Sequence, residues 1–136
     1  MRLFPGLRPG NLGAREGKLQ PAPRTPNGVA SQTDSATDAA HYVAPLDCAG
    51  DPAGAWERLV RLVGVLPGVQ IMAQTSSYLH AECSSAWLGF VDDLECLLDR
   101  PANVIHVRSA ARLGIRDFGV NRARIESLRA QLDLRK

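Results

Sequence analysis

Four runs of alternating residues between Val69 and Ala110, joined by turns too short to hold a crossover helix, restrict this chain more than any other feature. They read VQIMAQT, SYLHAEC, AWLGFVDDLECLL and NVIHVRSA, with turns at Ser76-Ser77, Ser84-Ser85 and Arg100-Pro101. Strands joined so closely run antiparallel, so the runs predict a four-stranded meander. Side chains along a strand point to alternate faces. That gathers Val69, Ile71, Ala73, Leu79, Ala81, Cys83, Leu88, Phe90, Leu94, Cys96, Leu98, Ile105 and Val107 on one apolar face. The other face carries Tyr78, His80, Glu82, Asp93, Glu95, His106 and Arg108. A tight turn at Arg100-Pro101 sets Asp93 opposite Arg108 and Glu95 opposite His106. Exposed pairs of this kind contribute about 0.2–1 kcal/mol each, so they favour a register more than they stabilise a fold.

The apolar face needs a cover, and the two flanking segments supply it. In DPAGAWERLVRLVGVLPG, Asp51 is placed to cap, Pro52 suits the first helical position, and Trp56, Leu59, Val60 and Val63 follow helical spacing until Pro67-Gly68. DFGVNRARIESLRAQLDLR predicts a second helix, with Asp117 or Asn121 as cap and Ile125, Leu128 and Leu132 as its buried stripe. Residues before about Ala40 are rich in Pro, Gly, Ser, Thr and Asn without either period. The expected architecture is therefore α+β: an irregular arm over residues 1–40, then one domain over 41–136 with both helices on one face of the meander. At 136 residues there is room for one core.

Composition narrows the function classes. The start of the chain has one Arg but no continuous apolar run behind it, and nothing approaches a membrane-spanning length, so the expected compartment is the cytoplasm. The cysteines, Cys48, Cys83 and Cys96, are odd in number and lack metal-ligand spacing, so Cys83 and Cys96 are expected as reduced core residues. Net charge is +2 but unevenly spread. Leu62–Asp99 holds five acids (Glu82, Asp92, Asp93, Glu95 and Asp99) and no Lys or Arg, whereas residues 100–136 hold nine bases against three acids. Without interleaved aromatic residues this distribution predicts internal pairing and no nucleic-acid partner.

Three constellations carry candidate chemistry. Asp92 has the parity of Leu94 and Cys96, so its carboxyl points into the core unless a bulge turns it out. The expected donors are Arg108 or Arg112, with Asn27, Ser31 and Gln32 in reserve. Asp92, Asp93 and Glu95 are accordingly read as structural polar residues. His80, Glu82 and His106 share a face but match no metal motif, so no metal or other cofactor is expected. His80 or His106 with Asp92 or Asp93 forms the pair a small hydrolase would use, although neither Ser109 nor Ser84-Ser85 lies in a G-x-S-x-G elbow. The strongest candidate is RSAARLGIRDFGVNR. There Arg108, Arg112, Arg116, Asn121 and Arg122 border a Gly-punctuated loop opening a helix, where free N–H groups favour anions.

YLHAECSSAWLGFVDDLECLLD, VIHVRSAARLG and DFGVNRARIESLR, together with PNGVASQ in the arm, resemble the bacterial and plastid family called domain of unknown function 1499. The resemblance runs from about Arg8 to Leu132 and supports arm, meander and closing helix as one unit, but implies no activity, cofactor or catalytic residue. It also implies cysteines flanking the arm motif, where this chain has Ala22 and Gly28, and a small polar residue where it has Arg116. The joint loss of both cysteines argues against essential thiol chemistry in the arm. The expected function is non-catalytic binding of an acidic small molecule or an acidic protein surface, with the small hydrolase as the alternative.

Overall fold

The computed structural model describes residues 6–84, 89–114 and 117–134. Leu88, Ser85 and Arg116, named above, lie outside them. Six strands and two helices follow in the order β1 (Gly28–Ala30), β2 (Leu46–Asp47), α1 (Pro52–Val65), β3 (Val69–Gln74), β4 (Tyr78–Ser84), β5 (Val91–Asp99), β6 (Val104–Ala111) and α2 (Val120–Leu134). The sheet order is β1-β6-β5-β4-β3, all antiparallel, and β2 also pairs with β6. The meander is thus present, and two short strands from upstream of α1 extend it beyond four.

The helix boundaries follow from local chemistry. Asp51 Oδ1 accepts the Gly54 N–H at 3.1 Å and Pro52 opens α1, while Leu66 turns extended and Gly68 adopts a positive φ of 73° to start β3. Before α2, Asp117 accepts the N–H groups of Gly119 at 2.9 Å and Asn121 at 3.3 Å. Both helices lie on one face. Leu59, Leu62 and Val63 of α1 and Ile125, Leu128 and Leu132 of α2 pack with Leu79, Ala81, Leu94, Cys96, Ile105 and Val107. Each fully buried aliphatic side chain contributes about 1.5–3 kcal/mol.

Three expectations need correction. The β5–β6 connection is the four-residue loop 100–103, with Asn103 at φ 58°, so Asp99 pairs with Val104 and the register moves by two residues. Glu95 consequently lies opposite Arg108, Asp93 opposite Ala110, and His106 opposite Leu97. A bulge between Ile71 and Ala73 sets Ala73 against His80, so Ala73 leaves the apolar face and is exposed. Phe90 precedes β5 and is also outside the core.

The largest departure is the second sheet face, which is buried. Residues 6–27 lie across it, and β1 then pairs with β6. The PNGVASQ motif is what clamps the arm down. The Asn27 carbonyl accepts from Ala111 N–H at 2.9 Å and Asn121 Nδ2 at 3.2 Å, and Ser31 Oγ accepts from Val107 N–H at 2.9 Å. Gln32 closes the preceding turn, accepting from Leu19 N–H at 2.9 Å and donating to the Gly17 carbonyl at 3.1 Å.

Candidate functional site

Under the arm, alternate residues of three neighbouring strands form a buried charged cluster. Glu82 and Asp93 are each 1% exposed and Glu95 is fully buried. Arg112 follows β6 and bridges two of them, donating from Nε and Nη2 to Asp93 and from Nη2 to Glu82, each at 2.7 Å. His80 Nε2 lies 2.7 Å from the same Asp93 carboxyl, and Arg8 of the arm reaches Glu82 at 2.6 Å. Burial alone would raise the Asp93 pKa, but the Arg112 and His80 hydrogen bonds outweigh it and hold this carboxyl below its ordinary range. Glu95 accepts from Tyr78 OH at 2.5 Å and from Gly13 N–H at 2.7 Å, with Arg108 Nη1 3.9 Å from its other oxygen. Burial, then the Glu95 contact, pushes the Tyr78 phenol up.

Ligand atoms of His80, Glu82 and Asp93 lie within 4.8 Å of one another, a spacing that suits a metal ion. Arg112, however, already supplies the positive charge between the two carboxyl groups, and a divalent ion would have to displace it. His106 does not join them; it contacts Ser31 Oγ at 3.3 Å and Asp99 Oδ2 at 3.2 Å. The His80–Asp93 pair has hydrolase-like geometry, but both residues are buried beneath the arm, so a substrate would first have to lift it.

The arginines of the loop do not converge. Arg108 donates to the Pro21 carbonyl at 3.0 Å and Arg112 serves the buried cluster, while Arg122 donates to the Ala40 carbonyl at 3.0 Å. Asn121 is buried, accepting from Ser109 Oγ at 2.6 Å and donating to Asp117 at 2.9 Å.

Asp92 does point toward the helices, without a bulge in β5, but its partner is neither Arg108 nor Arg112. Arg124 of α2 meets it, with Nη1 2.9 Å from Asp92 Oδ2. The reason lies in the same parity that turned Asp92 inward. Arg108 stands on the opposite face, and inward means toward α2, so the sequence already held the signal for a helix-borne partner. Burial pushes the Asp92 carboxyl up, against the pull of Arg124.

Arg124 overlooks two cavities. The larger, about 490 Å³, is walled by Phe90, Val91, Leu113, Phe118 and Val120, with Asp92, Asp117 and Arg124 as its charged groups. The smaller, about 380 Å³, lies between α2 and the start of β3, lined by Leu66, Pro67, Val69, Ala123, Ser127 and Leu128. Cys83, Ser84, Val120 and Arg124 border both. Arg124 donates to Asn121 Oδ1 at 2.7 Å and Ser109 Oγ at 3.1 Å, and both bonds, like the Asp92 contact, come from Nη1. Among the described residues its Nε and Nη2 have no partner.

Residues 18–132 match the model of the family described as Protein of unknown function (DUF1499). The chain belongs to that family. No curated protein and no solved structure matches it. In this DUF1499 chain, of the two positions where the resemblance places cysteines, Ala22 is half-buried in the arm and Gly28 is buried at the start of β1. A Cβ at Gly28 would stand 2.7 Å from Ala110 Cβ and 2.9 Å from the Pro23 ring. All three cysteines are free and buried, and burial pushes each thiol up. Among the described residues no helix is long and apolar enough to cross a membrane.

Proposed function

We propose that this DUF1499 chain is a non-catalytic binding module for a small carboxylate-bearing molecule with an apolar body, held in the larger cavity beside Arg124. The observation that carries this reading is that, among the described residues, the Nε–Nη2 edge of the Arg124 guanidinium has no partner while Nη1 is fully engaged. That edge presents two parallel N–H donors, the geometry that grips a carboxylate through both oxygens. Because Asp92, Asn121 and Ser109 already fix the Nη1 side, the edge is held in place before a ligand arrives, which lowers the ordering cost of binding. The walls supply the rest. Phe90, Leu113 and Val120 are 41%, 43% and 50% exposed around one cavity, an apolar lining that a ligand body would bury.

The test is a titration of the protein with octanoate, octylamine and 1-octanol, followed by calorimetry and amide chemical shifts. Octanoate is expected to bind at least tenfold more tightly than either neighbour and to shift Val120 and Arg124. Arg124→Lys keeps the charge but loses the two-donor edge, and should weaken octanoate binding at least tenfold. Should that variant fold poorly, Val120→Glu sets a like charge on the wall and should weaken it equally. Octanoate binding no tighter than 1-octanol, or binding indifferent to both variants, overturns the proposal.

A further inference from the structure

We infer that the ligand is two-armed, an anion flanked by two apolar branches, one in each cavity. This rests on the reading of Arg124 above and adds the shape of what it binds. The two cavities share Cys83, Ser84, Val120 and Arg124 in their linings, so Arg124 stands at their junction and does not border one pocket alone. Away from the junction both are lined largely by apolar side chains: Phe90, Leu113 and Phe118 on one side, Leu66, Val69 and Leu128 on the other. Among the described residues Arg124 is the cationic side chain on the border of both, whereas Asp92 and Asp117 line only the larger one, so an anionic group is best placed at the junction. A linear acid anchored there fills one cavity and leaves the other wet. A branched acid anchored at the same point buries apolar surface in both, and burial scales with area removed from water.

Two isomeric probes separate these cases: 2-butyloctanoate, branched beside its carboxylate, and dodecanoate, linear with the same atoms. Calorimetric titration is expected to show the branched isomer binding at least tenfold more tightly. Ser127→Trp places a large ring on the exposed side of α2 at the smaller cavity, and should bring the branched isomer down to the affinity of dodecanoate. If dodecanoate binds as tightly as its isomer, or if Ser127→Trp leaves the preference intact, the two-armed inference is wrong and the Arg124 reading stands. If none of the carboxylates binds, the Arg124 reading fails and this inference falls with it.

Discussion

Arg112 and Arg124 are both paired with aspartates, yet they should respond differently to mutation because their surroundings differ. Arg112 is 4% exposed and bridges two side chains that are themselves 2% exposed. Arg112→Met leaves Glu82 and Asp93 buried without the guanidinium that bridges them, so it should cost about 3–5 kcal/mol in denaturant unfolding. Asp92 is less enclosed, and burial already disfavours its charge, so Asp92→Asn should cost only about 1 kcal/mol. A double-mutant cycle identifies its partner. Asp92→Asn with Arg124→Met is expected to show a coupling of about 0.5–3 kcal/mol, and Asp92→Asn with Arg108→Met to add within about 0.3–0.5 kcal/mol. Coupling to Arg108 and none to Arg124 would contradict the placement of Asp92 on the helix-facing side.

Among the elements, the arm changes the character of the sheet most. A four-stranded meander with one polar face would leave that face in water; here Arg8, Gly13 and Pro21 hydrogen-bond Glu82, Glu95 and Arg108, and β1 extends the sheet at β6. The fit is close at Gly28, where a side chain would strike Ala110 and Pro23. Gly28→Cys, which restores the residue the family resemblance implies, should therefore destabilise this chain by about 1–3 kcal/mol through overpacking. Adding Ala22→Cys should not recover the loss under reducing conditions. A midpoint of urea unfolding equal to that of the parent would show that the arm yields freely at this point.

For the molecule as a whole, the shifted groups make stability depend on pH in opposite senses. Hydrogen bonds to Asp93 and Asp117 overcome burial and hold their pKa values below 3.8, so their contributions are present above that pH and vanish as it falls through the lower, folded values. Asp92 acts in the opposite sense. Its raised pKa means that stability declines as pH rises above 3.8 through its folded value. His41 acts in the neutral range. Its Nδ1 meets the Asp38 carboxyl at 2.8 Å and its Nε2 the Thr25 carbonyl at 3.0 Å, an arrangement that favours the imidazolium and raises its pKa above 6.5. That contribution is complete below 6.5 and is lost as pH rises through the raised value. Unfolding free energy measured from pH 6 to pH 8 should fall for the parent and run flatter for His41→Gln; parallel curves would exclude His41 as the source.

The antiparallel meander, the limits of α1 and the gathering of both helices on one face were legible in the sequence. Each rests on relations a few residues long: two-residue alternation, a cap three positions before the N–H that donates to it, an apolar stripe at helical spacing. The inward direction of Asp92 was legible for the same reason. Register was not, because a loop of four residues and one of two both fit the segment after Asp99, and the choice shifts every pair across β5 and β6. Nor was the fate of the polar face. Arg8 and Glu82 stand 74 residues apart, and Gly13 and Glu95 stand 82 apart. No local period encodes contacts at that separation. The arm's composition favours neither helix nor strand, so only the closed fold, with buried carboxyl groups requiring donors, decides where it lies. The same holds for Arg124, whose Nη1 meets Asp92, Ser109 and Asn121 only because α2 packs beside β6, which leaves Nε and Nη2 without a partner among the described residues.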